Sequence, residues 1–241
     1  VRVTGFETRV VQLADGTNVE LRKPTIAFDG PVPETVSLRA AQPMIGTGLL
    51  EAIPEADILA RVRSNPDGDG VRGTANFVFD PESGAVRLGR FGWKASKATL
   101  RHQAASALLA DMAVTSPVYP SLACDANPAA CATAPRQRGI SEAELQSISN
   151  YLALLAVPAQ RSLASGFPKG VAPLDEHRVD TRQVATGQKL FETMRCVACH
   201  TASMKTGANH QFAELRDQTI RPYTDLLLHD MGPGLADNYV E

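Results

Sequence analysis

Cys196-Val197-Ala198-Cys199-His200 constrains this 241-residue chain more than any other five residues in it. Two thiols and an imidazole fall within one turn of chain, which is the Cys-x-x-Cys-His pattern of covalent c-type haem attachment. The spacing follows from the chemistry. The thiols add across the two haem vinyl groups, and the adjacent His turns under the iron as its proximal ligand. Two other chemistries use a Cys-x-x-Cys pair. A thioredoxin-like redox pair wants a βαβ context, whereas here the motif ends a stretch of helix formers. A zinc site wants a second Cys/His pair at suitable spacing, and none is evident. Haem attachment is therefore the favoured reading, with zinc on Cys196, Cys199 and His200 as its competitor.

Asp180 or Thr181 can cap a helix running to about Arg195, with Val184, Leu190, Phe191 and Met194 as its apolar positions. Further back, Ser141-Glu142-Ala143-Glu144 has capping-box spacing ahead of the stripe Leu145, Ile148, Leu152 and Leu155. Lys94 to Asp111 carries Leu100, Ala104, Ala107 and Leu108 at helical spacing, and Pro54-Glu55-Ala56-Asp57 opens a shorter helix with Ile58, Leu59 and Val62 on one face. Residues 8–13 and 18–22 flank Asp15-Gly16 and read as a β-hairpin. Two short strands are expected around residues 76–79 and 85–88. With 18 Gly and 16 Pro, the rest should be turns and loops. Residues 158–175, with three prolines, two glycines and no periodicity, read as a linker between a region 1–157 and a region 176–241.

Asn65-x-Asp67-x-Asp69-Gly70 places oxygen ligands at positions one, three and five of an EF-hand-like loop, with the sharp-turn Gly at six and the Val71 carbonyl at seven. Asn76 stands where an EF-hand has its bidentate Glu, so a structural Ca²⁺ and a plain Asp/Gly turn both remain open. Cys124 and Cys131 enclose six residues and are expected to form a disulfide in an oxidising compartment, the same compartment that haem c attachment implies in bacteria. Trp93 is the one tryptophan. It reads as a core residue or, beside a porphyrin, as an electron relay.

Lys and Arg total 24 against 26 Asp and Glu, so no basic field exists for nucleic acid and no polybasic arm for a membrane. No run approaches eighteen apolar residues. No charged-then-apolar leader precedes Val1, and the chain stops at Asn238-Tyr239-Val240-Glu241 without a terminating pattern, so it is expected to be a piece of a longer protein.

Gly187-Gln188-Lys189-Leu190-Phe191, four residues ahead of Cys196, resembles the first helix of class I cytochrome c domains. The resemblance implies that Gly187 allows close helix packing and that Phe191 lines the haem crevice. It also implies a distal methionine. Met231, in Asp230-Met231-Gly232-Pro233-Gly234, has a loop context that could present sulfur to iron, or it is an ordinary methionine. Met204, His210 and His229 are weaker candidates. Arg221 and Tyr223 could bind haem propionates or form a solvated surface pair.

Several longer runs point to one family. They are residues 43–54 (PMIGTGLLEAIP), the loop 67–70, residues 89–95 (GRFGWKA), the Cys-x-x-Cys-His and residues 219–232 (TIRPYTDLLLHDMG). Together they resemble the bacterial di-haem oxidoreductases, also labelled thiol oxidoreductases, which are distantly similar to di-haem cytochrome c peroxidases and the MauG group. Such proteins carry two Cys-x-x-Cys-His motifs and this chain has one, so the second haem is expected upstream of Val1 and more chain after Glu241. The expected fold is mainly α with small β-hairpin elements, a cytochrome c-like haem domain packed on an irregular α+β region. The function implied is periplasmic electron transfer by haem c with an electron donor or acceptor protein, and peroxidase-like activity in the full protein. A non-catalytic cytochrome c electron carrier is the alternative, and a ligated Met231 would favour it.

Overall fold

The computed structural model describes residues 1–32, 34, 36–63, 68, 70–122, 139–158, 180–233 and 235–236. The chain divides into two compact units, one built on Val1–Ala40 and the other on Ala41–Gly232. Asn65, Asp67 and Asp69, both Cys124 and Cys131, and nearly all of the expected linker lie outside the described residues.

The first unit is one antiparallel hairpin, β1 (Arg2–Gln12) and β2 (Asn18–Ala27). Its turn is the expected one. Gly16 takes φ +86°, a conformation that costs a glycine little, and the Asp15 carboxylate accepts from Thr17 N at 2.9 Å. The strands are longer than the alternation at 8–22 suggested. Pro24 sits opposite Phe6, where a two-stranded ribbon has an open edge that tolerates its missing N–H.

The second unit contains α1 (Thr47–Glu51), α2 (Glu55–Leu59), a hairpin of β3 (Phe77–Asp80) and β4 (Ala85–Leu88), α3 (Leu100–Met112), α4 (Glu142–Ala153), α5 (Thr181–Thr193) and a two-residue strand pair, β5 (Met204–Lys205) with β6 (Thr219–Ile220). The capping box at α4 is formed. Glu144 N donates to Ser141 Oγ at 3.3 Å, and Ser141 N donates back to Glu144 Oε2 at 2.7 Å. Leu145, fully buried, meets Ala104 and Ala105 of α3. A second cluster joins Ile53, Ile58 and Leu88 to Met204, Ile220, Leu226 and Leu227, so segments flanking the haem motif share apolar contacts with α2 and β4. Isolated bridges add to this, Arg63 with Gly73 and Thr74 with Leu228.

The expected mainly α fold is not what forms. Among the described residues the chain is 28% helical and 20% strand, a mixed composition rather than a helical one. Two of its five described α-helices have only five residues each. The helix expected from Lys94 starts instead at Leu100. Lys97 pairs with Phe91 as a bridge and Ala95 takes φ +48°, so residues 94–99 form a turn, and Thr99 caps the helix by accepting from His102 N at 3.0 Å. Helix-forming residues are present there, but a bridge and a cap take up the backbone. Around the haem motif the irregularity is greater still: one α-helix, two 3₁₀ turns and two-residue strands.

Candidate haem site

α5 delivers the motif. Asp180 caps it, accepting from Arg182 N at 2.8 Å and Gln183 N at 3.4 Å. The helix stops at Met194 because Arg195 turns left-handed at φ +62°, and Cys196–Ala198 then form a 3₁₀ turn. His200 N donates to Cys196 O at 2.9 Å, which folds the five motif residues into one compact loop. Both cysteines are half-buried and neither is part of a disulfide. Arg63 reaches in and donates to Ala198 O at 2.7 Å.

His200 Nδ1 lies 2.8 Å from the backbone oxygen of Tyr223. A carbonyl can only accept, so Nδ1 carries the proton and Nε2 keeps its lone pair. That is the tautomer a metal-binding histidine needs, fixed by its outer partner. Phe191 packs by its ring against both neighbours, 6.0 Å from the His200 centroid and 5.5 Å from that of Tyr223, the latter edge-on at 89°. Tyr223 itself takes φ +50°, which turns its carbonyl out of the extended chain. Phe191, His200 and Tyr223 thus come together. The apolar stripe of α5 stays uncovered, with Val184 38%, Leu190 52% and Met194 71% exposed, and a Cβ built on Gly187 meets nothing within 4 Å. Two thiols outside any disulfide, a histidine whose Nε2 keeps its lone pair and an uncovered apolar helix face fit a haem c.

Residues 34–241 match the family model described as "Di-haem oxidoreductase, putative peroxidase". The chain belongs to that family. No curated protein and no solved structure matches it.

The remaining candidates of this di-haem oxidoreductase chain fall in different places. Met231 is 67% exposed. Arg221 is exposed too, and with Tyr223 it lines a groove of about 1280 Å³ whose other walls include Leu49, Phe91, Trp93 and Leu154. Trp93, 55% exposed, is a groove residue and not a core one. Met204 is buried in the apolar cluster, and His210 is taken up locally, accepting from Phe212 N at 3.2 Å with Glu51 3.7 Å from its Nε2. Val71 is half-buried. Among the described residues no three His, Cys, Asp or Glu side chains converge on a point that could hold a metal ion. A porphyrin iron asks the protein only for axial ligands, so that finding bears on the zinc reading and not on haem. No described helix is long and apolar enough to cross a membrane.

Sequence reasoning missed two arrangements. One is Asp225 with His229 beside Cys199, which an acid four residues before a histidine could have signalled. The other is a buried Asp80–His102–Tyr119 line. His102 Nε2 lies 2.8 Å from Tyr119 Oη and its Nδ1 3.7 Å from Asp80 Oδ1, and no spacing in the chain announces it.

Proposed function

We propose that this chain holds one haem c, linked through Cys196 and Cys199 with His200 as proximal ligand, in the electron-transfer machinery of a periplasmic di-haem oxidoreductase with peroxidase-like activity. The observation that carries the reading is the hydrogen bond from His200 Nδ1 to the Tyr223 carbonyl, since it fixes the ring with the Nε2 lone pair available beside the two thiols of the motif. When bound, the haem iron supplies one-electron exchange between ferric and ferrous states. The residues do the rest. Phe191 and Tyr223 hold the His200 ring edge against rotation, and Arg63 pins the turn that carries both thiols. Met231 is the candidate sixth ligand. The groove beside Trp93, Arg90 and Tyr223 is the candidate seat for the second haem of the family, whose own attachment motif is not in this sequence. A periplasmic electron donor or acceptor protein is the expected partner, and Asn65, Asp67, Asp69 and Val71 are proposed to hold a structural calcium ion.

Optical and EPR spectra of the ferric and reduced protein test the reading. Reduced bands of a thioether-linked haem are expected. A colourless protein sinks it. A low-spin ferric iron with a methionine charge-transfer band would assign Met231 as ligand and make this domain an electron carrier. A high-spin signal that shifts on adding cyanide or peroxide would leave the distal side open for catalysis.

A further inference from the structure

In the sequence Cys196 and Cys199 are an equivalent pair, but their surroundings differ. Cys199 Sγ lies 3.6 Å from His229 Nδ1. That ring is gripped from both sides: Nδ1 is 2.5 Å from the backbone oxygen of Arg72, and Nε2 is 2.9 and 3.1 Å from the two oxygens of Asp225. Asp225 is 3% exposed and is fixed in turn, its Oδ1 accepting from Leu227 N at 3.0 Å. The segments that carry these anchors are tied to each other, since Thr74 and Leu228 exchange N–H···O bonds of 3.0 and 2.8 Å in an isolated bridge. Gly73 leaves the ring its place, since a Cβ there would come within 2.8 Å of Leu227 Cδ1 and 3.3 Å of His229 Cε1. The imidazole is therefore held beside the sulfur by its own polar partners. No such clamp meets Cys196, whose side chain has no polar partner among the described residues.

We infer that His229 is a positioning residue for Cys199, holding the second thiol of the motif in the rotamer from which it is joined to haem. The inference rests on the haem reading above. In the step concerned, the Cys199 S–H adds across a vinyl C=C: sulfur bonds to the α-carbon, the thiol hydrogen ends on the β-carbon, and no electrons are gained or lost. Geometry governs such an addition, because the motif must present two sulfurs at once and a free χ1 at either one divides the chain among unproductive rotamers.

The test uses the full chain matured with haem, as wild type, His229→Leu, His229→Gln, Cys199→Ala and the Cys199→Ala/His229→Leu pair. Each is read by pyridine haemochrome and by alkylation of free thiols under denaturing conditions, with peptide masses separating Cys196 from Cys199. In His229→Leu the alkylated fraction at Cys199 should rise about tenfold or more, the lower range of what loss of an outer-shell partner costs a metal site. Cys196 should stay linked, and the haemochrome band should move to the longer wavelength of a single-thioether haem. Gln, which keeps an N–H to offer, should restore most of the linkage, and His229→Leu should add nothing to Cys199→Ala. A wild type with two thioethers and an unchanged His229→Leu overturns the inference while leaving the haem reading intact. Equal loss of both thioethers in the Leu and Gln variants assigns His229 to folding and overturns it as well. A wild type without haem overturns both readings.

Discussion

His102 shows how much a single buried side chain can commit a fold to a pH range. It is 2% exposed on α3 and faces Asp80, 1% exposed, at the end of β3. Burial pushes its pKa below the ordinary 6.5, the Lys97 charge pushes the same way, and Asp80 only partly opposes them. Burial pushes Asp80 upward, but bonds from Ser83, Glu82 N and Arg87 more than offset it, so this carboxyl ends below its ordinary 3.8. Burial also raises Tyr119, which keeps its phenol protonated against His102. The signs then follow. Where the folded histidine has the lower pKa, the unfolded chain binds the proton first, so stability is full above the unfolded value and falls as pH drops below about 6.5. The Asp80 contribution is likewise lost on acidification, below its unfolded pKa of 3.8. Urea midpoints measured from pH 8 to 4 should therefore be flat at first and then fall, His102 contributing a slope of at most about 1.4 kcal/mol per pH unit. His102→Gln should lose the decline that sets in below about pH 6.5. Parallel curves for the two proteins would show that His102 carries no such linkage.

At the scale of elements, the short α1 is defined by what it touches and hardly at all by its own residues. A five-residue helix has too few hydrogen bonds to persist alone. Arg90, its side chain 7% exposed, donates from Nη1 to the carbonyls of Leu50, Glu51 and Ile53 at 3.1, 3.1 and 2.6 Å, closing the helix from outside. Its other face lies on α4. Gly46 N donates to Leu155 O at 2.9 Å, and a Cβ on Gly48 would stand 2.1 Å from Ala153 O and 2.7 Å from its carbonyl carbon. Backbone atoms of the last residue of α4 move only with the end of that helix, so Gly48→Ala must separate α1 from α4. The expected cost is about 2–3 kcal/mol in urea unfolding, at the upper end for overpacking. A variant within about 0.5 kcal/mol of wild type, the range of an ordinary surface change, would mean that this crossing is looser than its geometry. The sequence run around Gly46 and Gly48 was visible as a family signature. That it marks a helix crossing was not, because the partner carbonyl lies more than a hundred residues away.

At the scale of the whole molecule, legibility tracked how local the chemistry is. The turn at Asp15-Gly16, the capping box at Ser141 and the Cys-x-x-Cys-His could be read because each needs only neighbours in the chain. His200 could be named, but the Tyr223 carbonyl that sets its tautomer could not. The helical weight of the fold was overread for the same reason: helix-forming residues at Lys94–Thr99 say nothing of the bridge from Phe91 to Lys97 that overrides them. The Asp/Gly loop is the case where local pattern and whole molecule can be joined by measurement. Arg63 and Gly73 pair across its base at 2.8 and 3.2 Å, and the same segment holds the haem turn through Arg63 and His229 through Arg72. A cation bound between Asn65 and Val71 would bind the folded chain and not the unfolded one, so it must stabilise everything that base supports. At a calcium concentration a hundredfold above its dissociation constant the gain is about 2.7 kcal/mol. For a protein of this length that is a rise in Tm on the order of 5–10 °C over the chelated protein. The double variant Asp67→Ala/Asp69→Ala should abolish the rise, and magnesium, which resists large flexible oxygen cages, should reproduce little of it. If calcium leaves the chelated wild type unmoved, the loop is an ordinary turn, and its base is held by the Arg63–Gly73 bridge without a cation.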